Sequence, residues 1–230
     1  MSALGITVHE PDVVFTDLGL AILGAWFAWR LAAPGRRGSL GLAPAVLMAG
    51  LASAAFWGAV FHGFFPRETE TWPGFIAWIR VSLSIVVAAA ALLELGLRVL
   101  ARLAKRTRRR LVATYAAAFA AVVLLVDESF GSIVRFYAPA LLVFLVGAAA
   151  RAARERDGWL SITFGLALSV GAALLQQLEV ALHPVYFDHN AVYHVVQACA
   201  LVLLYVGFRR VADSAAEGYG DGTAPAPRVG

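Results

Sequence analysis

The stretch GFIAWIRVSLSIVVAAAALLELGLR, residues 74–98, decides the fold. At about 1.5 Å of rise per residue, a helix of this length crosses the roughly 30 Å hydrocarbon core of a bilayer. Its centre holds no charge; Arg80 lies just inside one end, and Glu94 lies within snorkelling reach of the other. Working outward, comparable apolar runs occupy 13–33, 43–65, 110–127, 132–150, 158–182 and 190–209. Pro11 and Pro34 bracket the first run, Pro44 marks the first turn of the second, and Pro66 and Pro184 end the second and sixth. The whole chain is 60% hydrophobic and 15% charged, far from the roughly 25% charged of soluble domains. The expectation is an all-α polytopic membrane protein. A single seven-transmembrane helix bundle occupies 1–211, and 212–230, rich in Gly, Pro, Ser and Ala, reads as a disordered cytoplasmic tail.

Orientation follows from the basic residues. Arg36 and Arg37, the run from Arg98 to Arg110, the trio Arg151, Arg154 and Arg156, and Arg209 with Arg210 all fall on one side of seven helices. The opposite connections, Arg67 to Glu70, Asp127 to Ser129 and His183 to His189, are neutral to acidic. The N-terminus is therefore expected outside and the C-terminus inside. Met1 to Phe15 has no basic leader, so no cleaved signal peptide is expected. Basic residues clustered in short loops report topology, so the expected partner is the lipid bilayer and not nucleic acid. Cys199 stands alone, which excludes an intrachain disulfide. The one lysine, Lys105, is in a basic loop, which excludes a retinal Schiff base within the bundle. Arginine dominates lysine and alanine is abundant, a bias that points to a GC-rich genome and a bacterial plasma membrane.

Polar residues gather toward the outer end. Asp17 lies in the first helix, His62 late in the second, and His183, His189 and His194 around the start of the seventh. An ionisable residue at membrane depth is costly and is read as functional by default. Asn190, His194 and Gln197 follow i, i+4, i+7 and share a helix face; Gln176, Glu179 and His183 are spaced to do the same on the sixth helix. Asp188 or Asn190 is the expected N-cap of the seventh. For Asp17 the expected partner is Arg80 or Arg135, and for Glu94 it is Arg102. Five tryptophans, Trp26, Trp29, Trp57, Trp72 and Trp78, read as interfacial anchors, and Ser82 and Ser84 as packing hydroxyls.

Histidine late in the second of seven helices, an acidic residue soon after, and polar His-rich spacing at the start of the seventh resemble the CREST superfamily, which includes alkaline ceramidases and progestin/adipoQ receptors. The resemblance implies an intramembrane zinc held by histidines, with His62 and His194 as ligands, and lipid-amide hydrolysis. The family's Ser-x3-His has Gly58 at the serine position, its His-x3-His has Asn190 at the first histidine, and Glu70 is the carboxylate nearest its third-helix aspartate.

Two functions are expected from these residues. One is a zinc-dependent membrane hydrolase acting on a lipid or amphiphile, with His62 and His194 as ligands, His183 or His189 as the third, and Asp17 or Glu179 as general base. The other is a sensor, proton-linked carrier or accessory protein. Its polar cluster, including Asn190, Gln197, Glu70, Arg80 and Arg135, would be structural or would titrate with external pH.

Overall fold

The computed structural model describes the backbone of the chain except residues 1, 4, 5, 35–37, 66–68, 184–185 and 221–230; residues 2, 3, 6 and 215–220 are described by backbone alone. Arg36, Arg37, Pro66, Arg67, Glu68 and Pro184 thus lie outside the described residues. Seven helices follow one another: α1 (Pro11–Ala32), α2 (Ala43–Phe64), α3 (Trp72–Leu100), α4 (Lys105–Leu125), α5 (Phe130–Glu155), α6 (Trp159–Gln177) and α7 (His189–Gly220). Before them, β1 (Ser2–Ala3) and β2 (Ile6–Thr7) make a short antiparallel pair. Pro11, Pro44 and Pro73 each fall in a first turn, where a missing N–H costs nothing.

Six of the seven, all but α4, are long and apolar enough to cross a membrane. The same six form a closed ring, with α1 beside α2, then α3, α5, α6 and α7, which returns to α1. α4 packs outside this ring on α3 and α5, and only Phe119 and Val123 of it are buried. Its first turns hold Lys105, Arg106, Arg108, Arg109 and Arg110, leaving Leu111–Leu125 as its apolar length. It still runs the full height of the bundle. It leaves the end of α3 and delivers the chain to Glu128, whose carbonyl accepts the Trp78 indole N–H at 2.7 Å near the start of α3. Glu94 fixes its first half by accepting from Arg108 at 2.9 Å and from Arg98 at 2.7 Å, and so is paired with these two and not with Arg102. Its second half docks one turn before Pro139, which lies inside the continuous α5. Tyr115 donates its hydroxyl to the Phe136 carbonyl there, and Phe119 stacks on Phe136 with centroids 4.9 Å apart.

Small residues set the spacing of the ring. A Cβ at Gly96 would meet the backbone nitrogen of Phe144 at 2.9 Å, so α3 and α5 touch backbone to backbone. Leu47, Met48, Leu92, Leu95, Phe144, Ile162 and Leu201 fill the interior. Large apolar side chains such as Phe15, Ile22, Trp29 and Leu125 stand mostly exposed outside, as a bilayer-facing surface requires.

α4 begins at Lys105 instead of 110 and α5 runs on to Glu155 instead of 150, and two further differences lie in α6 and α7. α6 stops at Gln177 instead of reaching 182, because Glu179 takes a left-handed backbone (φ 52°) and the chain turns away. Gln176, Glu179 and His183 therefore share no helix face. α7 continues through Gly220, beyond the 209 read from hydropathy, because its last turns need no apolar residues outside the membrane.

Candidate functional site

At the end of the bundle where α1 and α7 begin and α2 finishes, the chain draws residues distant in sequence together. The N-terminal segment is strapped to α2 by the His9 N–H donating to the Gly63 carbonyl at 3.0 Å. That strap leaves Glu10 as the N-cap residue of α1 in a left-handed conformation, φ 37° and ψ 56°, which is uncommon for a residue with a Cβ. Its carboxylate reaches His62, with Oε2 2.5 Å from Nδ1. Asp12, in the first turn of α1, accepts the Asp188 backbone N–H at 3.1 Å. Asp188 in turn caps α7, its Oδ1 accepting from the Ala191 N–H at 2.9 Å. So α7 is docked on α1 by its own cap, and His189 is its first residue.

One turn deeper lies the second pair. His194 Nε2 is 3.1 Å from Asp17 Oδ1, and its Nδ1 is 3.1 Å from the Thr16 hydroxyl. The partner of Asp17 is thus a histidine and not Arg80 or Arg135. Arg80 instead lies over the Trp57 ring at 5.2 Å, and Arg135 is near Asp127. Asp17 has room because α2 has a glycine opposite. A Cβ at Gly58 would fall 2.7 Å from Asp17 Oδ2. That second carboxylate oxygen is buried and accepts no hydrogen bond among the described residues.

The two pairs differ in access to water. The side chains of His62 and Glu10 are 26% and 33% exposed, those of His194 and Asp17 10% and 4%. Asp17 and Asp188 both lie within electrostatic reach of His62, so Glu10, His62, Asp17, His194 and Asp188 form one cluster. Below it Gln197 donates to the buried Ser169 hydroxyl at 3.1 Å, and beside it Gln176 donates to Asn190 at 3.4 Å. The shared face of Asn190, His194 and Gln197 is therefore divided between α6 and α1.

Proton counting limits what the inner pair can be. The Thr16 hydroxyl has one proton and lies within bonding distance of the Asp12 and Val13 carbonyls, at 2.9 and 3.0 Å, and of His194. If it donates to the helix backbone, it accepts from Nδ1–H, and a second proton must sit between Nε2 and Asp17. If it donates to Nδ1, then Nε2–H donates to an ionised Asp17, and the pair holds one proton fewer. A hydroxyl rotation is thereby coupled to the uptake of one proton.

The other expected site residues lie apart. Glu179 and Glu70 are exposed. His183 is in the loop after α6, where its Nδ1 accepts the Tyr186 N–H at 3.1 Å and its backbone pairs with Phe187. A three-histidine zinc site does not fit these donors as arranged. Both ring nitrogens of His194 are engaged and His183 is held in its own loop. Among the described residues no three His, Cys, Asp or Glu side chains gather as ion ligands. Sequence reasoning passed over Glu10, Asp12 and Thr16, because their partners are brought to them by the antiparallel return of α2 and by the start of α7.

The chain belongs to a family of unknown function (DUF6962), which it matches over residues 13–213. No curated protein and no solved structure matches it.

Proposed function

We propose that this family member is a multi-pass membrane protein that senses protons through the Glu10–His62 and Asp17–His194 pairs. The observation that carries the proposal is the inner pair, a buried carboxylate and imidazole whose hydrogen-bond partners allow two proton counts and nothing between. Histidine changes charge between pH 5 and 8 more readily than any other side chain. The outer pair, partly open to water, exchanges protons with the medium, and the inner pair responds to its charge. The segment that carries Glu10 is the element most directly moved, since its hold on α2 runs through His62 and Gly63.

The basic residues at the far end of the bundle favour a topology with the cluster outside and the C-terminus in the cytoplasm of a bacterial plasma membrane. α4 would then be the seventh span, its arginines reaching the cytoplasmic interface. Signalling is favoured over transport because a carrier of this kind uses broken helices at mid-membrane. Among the described residues the ring helices are continuous, with Pro139 the one interior proline.

A zinc-dependent lipid hydrolase is the rival reading, supported by the convergence of His62 and His194, the two positions that the CREST-like pattern assigns to the metal. It needs both histidines to release their carboxylates and a third ligand to enter. The test is the metal content of the purified protein together with histidine ¹⁵N NMR between pH 5 and 8. The sensor reading expects no stoichiometric zinc and reversible changes at His62 and His194. One equivalent of zinc, lost on His62→Ala, overturns it.

A further inference from the structure

Four arginines converge at the opposite end of the bundle. Arg98 and Arg102, from the end of α3 and the link after it, and Arg151 and Arg154, from the last turns of α5, line a cavity of about 320 Å³. That is the size of a small-molecule cleft, roughly 300–1,000 Å³. The cavity exists because α3 stops at Leu100. Ala101 is extended (φ −120°, ψ 132°), and α4 does not start until Lys105. Across from the link, Gly147 lets α5 close against Val99 and Leu100, which seals the cavity floor.

The charge in this region is not balanced by protein. Glu94 pairs with Arg98 and Arg108, and Glu155 pairs with Arg151. Five guanidiniums, Arg102 and Arg154 included, thus face two carboxylates, an excess of three. Arg102 and Arg154 have no carboxylate partner among the described residues. The start of α4, just past Arg102, points the same way. Ala104 offers no capping side chain, and the first turn holds basic residues and no acid. A helix N-terminus carries partial positive charge and favours an anion, and Glu94 beside Arg108 answers only part of the positive charge gathered here.

The cavity also opens onto an apolar stripe. Leu142, Val146, Ala150 and Arg154 recur every four residues along α5, and Leu142 and Val146 are 49% and 58% exposed. We propose that the cavity binds the phosphate of an anionic phospholipid, with an acyl chain lying along Leu142 and Val146. Arg102 and Arg154 take the phosphate oxygens through their planar donor forks. Arg98 and Arg151, held by their own glutamates, form the walls.

The protein in non-ionic detergent is titrated separately with phosphatidylglycerol, phosphatidylcholine and inorganic phosphate, and bound lipid is counted by native mass spectrometry while the thermal midpoint is followed. Phosphatidylglycerol is expected to be retained roughly tenfold better than phosphatidylcholine, with a preference lost on Arg102→Gln/Arg154→Gln. The double variant Arg109→Gln/Arg110→Gln removes the same charge outside the cavity and should keep the preference. Equal retention of the two lipids, or equal loss in both double variants, overturns the site. Stabilisation by inorganic phosphate matching that by phosphatidylglycerol overturns the lipid assignment in favour of a soluble phosphate compound.

Discussion

The Asp17 carboxylate occupies the space that any side chain at position 58 would need, since a Cβ built on Gly58 falls 2.7 Å from Asp17 Oδ2. Helix α2 contributes a void at this level, and α1 fills it with a charge that α7 then meets through His194. The burial of the inner pair rests on this exchange.

Gly58→Ala should therefore push Asp17 off His194 as well as crowd the helices. Overpacking of this kind costs about 1–3 kcal/mol. In a double-mutant cycle with Asp17→Ala, the two changes should be clearly less than additive in thermal unfolding, because the second removes the group that the first displaces. Additive effects would mean that Asp17 and Gly58 do not share the space.

His194→Ala leaves the Asp17 carboxylate buried with no imidazole partner, and a broken buried pair costs about 3–5 kcal/mol. His194→Ala combined with Asp17→Leu should recover much of the loss, since no charge remains in the site. Chemical unfolding in detergent measures both.

Glu10 combines a strained backbone with a useful side chain. Glu10→Ala and Glu10→Gly both lose the bond to His62, but the glycine relieves the φ 37° conformation. Glu10→Gly should be the more stable of the two by about 1 kcal/mol. Equal stability would mean that the strap relaxes once the carboxylate is gone.

Asp127 gives a pH dependence outside the membrane-spanning helices. The Ser132 hydroxyl and the Ser129 N–H hold its carboxyl down at about 2. With the folded value below the unfolded value of about 3.9, ionised Asp127 stabilises the start of α5 above pH 4. That contribution is lost as pH falls from there toward 2. Protection of the first-turn amides of α5 against hydrogen exchange, taken relative to the intrinsic rate at each pH, should fall over that window, and Asp127→Ala should remove the dependence.

The helical architecture was legible because the bilayer's thickness imposes a length on each apolar run, and the six clearest runs are the six ring helices. α4 was harder to place. Its amphipathic start reads as a loop by charge, and its position outside the ring depends on Tyr115 finding the Phe136 carbonyl near Pro139. In the site, spacing singled out His62, His194 and Asp17, since each is an ionisable group in an apolar run. It paired Asp17 with an arginine because hydropathy gives depth but not which helix neighbours which. Glu10 carried no local signal at all, being an ordinary acidic residue until the chain straps it over His62. Glu179 and His183 looked like one helix face because a sequence period does not reveal the left-handed residue that ends α6.

The most direct measurement is histidine ¹⁵N NMR of the protein in nanodiscs from pH 5 to 8, for the wild type and Asp17→Asn. The account predicts that the His62 and His194 ring nitrogens change reversibly over this range, and that Asp17→Asn abolishes the change at His194 while leaving that at His62. Ring nitrogens that stay fixed across the range in the wild type would contradict it, and the cluster would then be a static polar plug between α1, α2 and α7.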